Sequence, residues 1–182
     1  MKRRLILVGK GGSGKDHARK ISENIIGAKY AISYTTRPPR EGEVDNVDYY
    51  FIPMRTFNKM VNEDAWYEYV NFNGWNYGTS KEQFNNDDLF IMTPKGLSHL
   101  SYDDRNESVV LYLDIPEDIR RERMGMRVGN ADSIERRIQA DENDFRDFED
   151  YDFKIINPNY RVDDIIEIWR NVNILEKLKT TN

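Results

Sequence analysis

A chain of 182 residues with 38% hydrophobic content is long enough for one domain that buries roughly two thirds of its unfolded surface, and no second domain is needed. A net charge of −5 speaks against general affinity for nucleic acid or anionic membranes, so a small polyanion would have to be met by a local basic cluster. There is no cysteine, and the chain reads without a secretory leader or an apolar run long enough for a bilayer; disulfide frameworks and thiolate metal sites are excluded and a cytoplasmic enzyme is expected.

Taken in chain order, Leu5-Ile6-Leu7-Val8 predicts a buried strand over 4–8. It runs into Gly9-Lys10-Gly11-Gly12-Ser13-Gly14-Lys15-Asp16. Glycines at this spacing free backbone N–H groups to close round phosphate oxygens, and a lysine opening the next helix can reach the β/γ-phosphates. The stretch therefore predicts a nucleoside triphosphate grip rather than a plain turn. Asp16 is irregular, because the pattern expects a Ser or Thr hydroxyl for Mg²⁺ after the lysine. A helix is expected over 14–26 with Ala18, Ile21 and Ile25 on its buried face and Gly27 as its stop.

A second strand is expected over 31–34, ended by Thr35-Thr36-Arg37-Pro38-Pro39-Arg40-Glu41-Gly42-Glu43, whose prolines and glycine break a ladder. The prolines fix Arg37 and Arg40 relative to each other. That suits either a phosphate grip or a solvated turn in which Arg40 pairs with Glu41 or Glu43. Strand signals return over 48–52, Pro53 opens a helix carrying Phe57, Met60 and Val61, and the strand Trp66–Phe72 meets an Asn73-Gly74 turn into Trp75-Asn76-Tyr77. This section predicts a small antiparallel lobe. Period-two alternation puts Glu68 on the face of Trp66 and Val70. A carboxylate there meets a base edge with paired N–H donors, such as guanine N1 and N2, or leans into water from an edge strand.

Ser80-Lys81-Glu82-Gln83 has capping-box spacing, so a helix should start there. Strands over 89–93 and 108–114, each followed by a helical segment, give the alternation of a parallel sheet. An arginine-rich helix over 116–126 is broken by Val128-Gly129-Asn130-Ala131, and Asp132-Ser133-Ile134-Glu135 starts another that runs to Phe145. A fifth core strand is expected over 153–156, then a terminal helix from Val162 with Ile165, Ile166, Trp169, Val172, Leu175 and Leu178 at helical spacing. Arg120, Arg121, Arg123, Arg127, Arg136 and Arg137 straddle the break, as a solvated face or as a lid closing over transferring phosphates. His17 and His99 have no ligand cluster beside them, so metal ligation is not expected, and no Ser-His-Asp arrangement supports hydrolysis through a covalent serine.

Together these residues resemble the guanylate kinase family of P-loop nucleoside monophosphate kinases over nearly the whole chain. The most specific stretch is Ser33-Tyr34-Thr35-Thr36-Arg37-Pro38-Pro39-Arg40-Glu41-Gly42-Glu43, followed by Asp48-Tyr49, Glu68 and Tyr77-Gly78-Thr79-Ser80. The resemblance implies an α/β fold of P-loop NTPase type, in which a parallel five-stranded sheet flanked by helices carries a small antiparallel NMP-binding lobe and a helical lid. In that reading the core takes 1–32, 80–122 and 145–182, the NMP-binding lobe 33–79 and the lid 123–144. It also implies that Ser33, Arg37, Arg40, Tyr49, Glu68, Tyr77 and Thr79 bind GMP. Gly9, Gly11, Gly12, Ser13, Gly14, Lys15, Asp16 and Asn157 would bind ATP, and Lys15, Arg37, Arg123, Arg127 and Arg137 would carry catalysis.

The implied reaction is phosphoryl transfer from ATP, with Mg²⁺, to GMP or dGMP, by a monomer or homodimer acting on small molecules and on neither nucleic acid nor membrane. The chain departs from the family twice. A D-x-D pair expected at the end of the third core strand reads Ile91-Met92-Thr93, and the loop hydroxyl is Asp16. In the second respect it is similar to some viral deoxynucleoside monophosphate kinases. Asp16 is thus expected to supply the metal-side carboxylate that the strand lacks. The departures keep in view a broader deoxynucleoside monophosphate kinase, and a non-catalytic module that grips a phosphopeptide.

Overall fold

The computed structural model of the protein describes residues 4–72, 74–126 and 133–172. In chain order the elements are β1 (Arg4–Gly9), α1 (Lys15–Ile21), β2 (Tyr34–Thr35), β3 (Tyr50–Phe51), α2 (Met54–Asn62), β4 (Trp66–Phe72), β5 (Trp75–Ser80) and α3 (Lys81–Asn86). They continue with β6 (Leu89–Ile91), α4 (Pro94–Leu97), α5 (Tyr102–Asn106), β7 (Ser108–Leu113), α6 (Glu117–Gly125), α7 (Ile134–Asp144), β8 (Phe153–Ile155) and α8 (Val162–Asn171).

The core is a parallel sheet in the order β6-β1-β7-β8. Its central strand reads as a continuous apolar run because both faces are covered. Leu5 and Leu7 pack with Ala18, Ile21, Leu111, Ile165 and Trp169 on one side, whereas Ile6 and Val8 pack with Phe84, Phe90, Val110 and Tyr112 on the other. Leu5, Ile6, Leu7 and Val8 are fully buried.

The described sheet has four strands, not the expected five. The segment after Ala28 starts to pair with β6, since the Lys29 carbonyl accepts from Asp88 and Leu89 N–H at 2.8 and 3.1 Å and Ala31 N–H reaches the Leu89 carbonyl at 2.9 Å. Only Tyr30 forms a bridge to Leu89, because by Tyr34 the chain has been drawn into a second sheet. That sheet, ordered β3-β2-β5-β4, is mixed rather than antiparallel: β2 runs parallel to β3 and antiparallel to β5.

Helix boundaries follow the sequence signals closely, with one shift. α1 passes into a π-turn over Ser22–Ile26, and Gly27 stops it with φ 75°. The wider turn moves the apolar stripe by one residue, so Ile26 is buried and the expected Ile25 is 55% exposed. The Ser80–Gln83 capping box forms as expected, and Ser133 caps α7 by accepting the Arg136 N–H. Leu175 and Leu178 lie outside the described residues, as does Asn73 of the β4–β5 turn. No described helix is long and apolar enough to cross a membrane.

α8 lies across the α1 side of the sheet and is pinned there by Trp169, which is fully buried. Its indole N–H donates to Ser22 Oγ at 2.8 Å, and that hydroxyl donates on to the Ala18 carbonyl at 2.8 Å. Trp169→Ala should therefore lower the unfolding free energy by about 3–5 kcal/mol, read as a shift of the urea midpoint; a midpoint like the parent's would show that α8 is not part of the cooperative core.

Candidate active site

β1 ends at Gly9 and delivers the chain into a cleft of about 570 Å³ that the phosphate loop shares with the second sheet. Gly12 and Gly14 take left-handed backbone at φ 78° and 95°, a conformation cheap only for glycine. A Cβ on Gly12 would also stand 2.7 Å from the Arg120 carbonyl oxygen. Lys15 folds back so that Nζ donates to the Gly9 and Lys10 carbonyls at 2.5 and 3.2 Å. Asp16, in the first turn of α1, is exposed in the cleft lining.

Other elements brace the loop from outside. Arg123 of α6 donates to the Gly12 carbonyl at 3.3 Å and to Pro158 at 2.7 Å. The Tyr160 hydroxyl donates to the Gly14 carbonyl at 2.7 Å, and burial pushes its pKa up to about 12, so it stays a donor at neutral pH. From α7, Glu142 accepts from Lys10 Nζ at 2.6 Å and Asp141 accepts the Gly11 N–H at 2.7 Å. Burial raises the pKa of Asp141, and burial together with the Asp141 charge raises that of Asp144.

Across the cleft, the stiff loop after β2 holds Arg37 almost fully buried. Its guanidinium makes a bidentate pair with Glu43, both bonds at 2.9 Å, and Glu43 also accepts the Arg40 N–H at 2.7 Å. Burial works against the Glu43 charge, but the Arg37 bonds, the Arg40 N–H and both guanidinium charges outweigh it and hold the carboxyl below its usual range. Arg37 sits 5.4 Å from the Tyr49 ring centroid, and Tyr49 meets Tyr77 edge-on at 6.0 Å. Glu43 rather than solvent thus takes both arginines.

At the far end a bulge between Trp66 and Glu68 breaks the alternation of β4. Glu68 and Val70 line the cleft, while Trp66 packs with Phe57 and Tyr69 on the α2 side, so Glu68 does not share a face with Trp66 as the simple period implied. Glu68 is 7% exposed and accepts the Thr79 hydroxyl at 2.8 Å. Burial pushes its pKa up to about 7 against those Thr79 bonds. Thr93, where a strand carboxylate was expected, caps α4 by accepting the Gly96 N–H at 3.0 Å. A Cβ on Gly96 would lie 3.1 Å from Glu68 Oε2.

The cleft brings together Gly9, Gly11, Gly12, Ser13, Gly14, Lys15, Asp16, Ser33, Arg37, Arg40, Tyr49, Glu68, Tyr77 and Arg137. Thr79 stands behind Glu68 rather than in the lining. Arg123 and Asn157 are outside it too: Arg123 braces the loop, and the Asn157 side chain accepts the Asn159 N–H at 2.9 Å. Arg127 lies outside the described residues. Sequence reasoning missed Glu43 as a counter-ion of Arg37, and missed Asp141 and Asp144 in the lining, where Arg136, one of the arginines read as a solvated face or a lid, also lies. The spacing of Asp141 and Asp144 from Arg137 on one helix was the available signal.

The sequence model of the family described as guanylate kinase matches residues 1–175. A guanylate kinase of Geobacter metallireducens is 31% identical over 179 residues, covering 93% of this chain and 86% of that protein. One of Syntrophotalea carbinolica is 32% identical over 158 residues, covering 80% and 73% respectively. The crystal structure of guanylate kinase from Anaplasma phagocytophilum shares the fold, with a TM-score of 0.67 at 22% identity over 96% of this chain and 85% of that one. The chain belongs to the guanylate kinase family.

The buried Glu68 has a consequence for stability. Its folded pKa of about 7 lies above the ordinary 4.5, so the folded state holds the proton more tightly and stability falls as pH rises through that window. Glu68→Gln should flatten the fall, leaving the variant no less stable than the parent on the alkaline side; a parallel pair of Tm-against-pH curves would contradict this.

Proposed function

We propose that the cleft works as follows in the ATP-dependent phosphorylation of GMP, the activity of the guanylate kinase family to which this nucleoside monophosphate kinase belongs. The observation that carries the reading is that one continuous cleft holds a phosphate loop with its lysine on one wall and a buried arginine, tyrosines and a buried carboxylate on the other.

ATP lies with its phosphates in the loop, where Lys15 and loop N–H groups other than that of Gly11, which Asp141 holds, take the β/γ oxygens. GMP, or dGMP, places its phosphate at Arg37, Arg40, Tyr49 and Tyr77, and Arg37 exchanges Glu43 for the phosphate. Glu68, ionised and steadied by Thr79, accepts the N1 and N2 hydrogens of guanine, with Ser33 beside it in the lining. An oxygen of the acceptor phosphate then attacks the γ-phosphorus, the bond to the β–γ bridging oxygen breaks, and ADP and GDP result. The transition state is loose, so catalysis is alignment and charge neutralisation and needs no covalent nucleophile. Arg137, with Arg123 and Arg127 of the lid 123–144, neutralises the transferring group as that segment closes; Arg123 must leave the Gly12 and Pro158 carbonyls to take part.

The donor set fits Mg²⁺. Asp16 is an exposed hard oxygen donor beside Lys15, and Asp144, also in the lining, has a buried Oδ2 without a hydrogen-bond partner. Among the described residues no group of at least three His, Cys, Asp or Glu could hold a metal unaided, so Asp16 would share the ion with nucleotide phosphates, as hard octahedral cations are usually shared. When bound, Mg²⁺ supplies charge neutralisation at the phosphate oxygens. Small-molecule chemistry of this kind fits a cytoplasmic protein that meets neither nucleic acid nor membrane, as a monomer or homodimer. Broader base acceptance and phosphopeptide capture gain nothing from the site, since its base end is built round one buried carboxylate and its phosphate loop is complete.

Release of ADP from Mg·ATP should be fast with GMP and dGMP and slow with AMP, CMP and dTMP; no turnover with any acceptor would leave only the binding module. Lys15→Met should lose about a hundredfold or more in kcat, far more than it loses in fold stability read as Tm, and Asp16→Ser should weaken the Mg²⁺ dependence of ATP binding. An Asp16→Ser enzyme with the parent's Mg²⁺ titration would remove Asp16 from the metal site.

A further inference from the structure

The Gly11 peptide is held from both ends by two helices distant in sequence. Its N–H donates to Asp141 Oδ2 of α7 at 2.7 Å, and its carbonyl lies 3.5 Å from Arg120 Nη1 of α6. The same Arg120 nitrogen stands 3.5 Å from Asp141 Oδ2, so guanidinium, carboxylate and peptide form a closed set. The set is dry: the side chains of Arg120 and Asp141 are 2% and 7% exposed. Arg120 Nε is in turn tied to the Ile115 carbonyl at 3.1 Å, at the end of β7. Gly11 also has no spare room, because a Cβ there would lie 3.1 Å from Asp141 Oδ2 and 3.3 Å from Met124 Sδ.

Arg137 precedes Asp141 by one helical turn on α7, so both side chains fall on one face. Its Nη2 stands 3.8 Å from where that Gly11 Cβ would be, and it lines the cleft. An acceptor oxygen is what the Gly11 N–H requires there. The Asp141 carboxylate satisfies the peptide N–H and shares the buried Arg120 charge with Glu142, whose Oε1 stands 3.4 Å from Arg120 Nη2.

We propose that Asp141 is a positioning residue for phosphoryl transfer: by accepting the Gly11 N–H it locks α7, and with it the Arg137 guanidinium, in register with the phosphate loop. Asp141 touches no reacting atom. It acts through Arg137 and through the loop, and the inference rests on the kinase reaction proposed above. Misplacing a charge-stabilising group by a fraction of an ångström to an ångström is costly in such a reaction, because alignment supplies much of the rate.

Asp141→Ala should lower kcat by about ten- to a hundredfold and leave KM for GMP within about twofold, since the acceptor site is on the other wall. Asp141→Asn keeps a carbonyl oxygen for the Gly11 N–H and should recover most of that loss. Ser133→Ala, which removes the cap of α7 without touching the loop, should lower Tm and cost far less in kcat than Asp141→Ala does. In the parent protein, the Gly11 amide proton should resonate downfield and move upfield as Asp141 is protonated, a readout that needs no variant to fold and no turnover. An Asp141→Ala enzyme with the parent's kcat, an Asn variant as impaired as the Ala variant, a kcat loss in Ser133→Ala equal to that in Asp141→Ala, or a Gly11 resonance indifferent to pH would each overturn the proposal. A parent inert toward every nucleoside monophosphate would instead overturn the kinase reading and leave the Gly11 resonance to decide the anchor.

Discussion

Residues 9–14 must hold a cradle for an anion that is absent for part of every turnover, with the Gly11 N–H already taken by Asp141, and the rest of the molecule is arranged round that requirement. A chain in this shape turns its carbonyls outward, where each needs a donor. Lys15 takes those of Gly9 and Lys10, Arg120 approaches that of Gly11, Arg123 takes that of Gly12 and Tyr160 that of Gly14. These donors come from α1, α6 and the turn before α8. The loop's shape is therefore a tertiary property, held by elements more than a hundred residues away in the chain. β1, buried on both faces, supplies the fixed end from which the loop departs.

What could be read from the sequence was what is written locally. The glycines and Lys15, the Ser80–Gln83 capping box, the Gly27 stop and the apolar run of β1 each carry their meaning within a few residues. What could not be read depends on partners elsewhere. Nothing in Trp66-Tyr67-Glu68 marks the bulge that turns Glu68 into the cleft, because it arises from pairing with β5. The π-turn that exchanges Ile25 for Ile26 is likewise indistinguishable from an α-helix by spacing alone. Segment 31–34 has strand character, but competition between β6 and the second sheet decides where it pairs. Glu43 is legible in the sequence only as a partner for Arg40, and Asp141 only by its spacing from Arg137; the fold gives them the Arg37 guanidinium and the Gly11 N–H.

The strand end at Thr93 shows how a site can tolerate the loss of family residues. Where carboxylates were expected, Thr93 closes the first turn of α4, and Gly96 leaves space for Glu68. Besides Glu43 and Glu68 on the opposite wall, the acidic groups of this cleft include Asp16 of α1 and Asp141 and Asp144 of α7.

The bidentate Arg37–Glu43 pair leaves no unpaired buried guanidinium at Arg37, on the wall proposed to take the acceptor. An unpaired buried guanidinium would collect any passing anion, and inorganic phosphate or chloride would then compete with nucleotide at every encounter. With Glu43 already in place, an incoming anion gains only the difference between its own contacts and those of a built-in carboxylate, which a monoanion without further anchors cannot make favourable. In the binding mode proposed above a nucleotide would bring its base to Glu68 at the same moment, so the internal carboxylate would act as a threshold that rejects ions by their lack of a second handle.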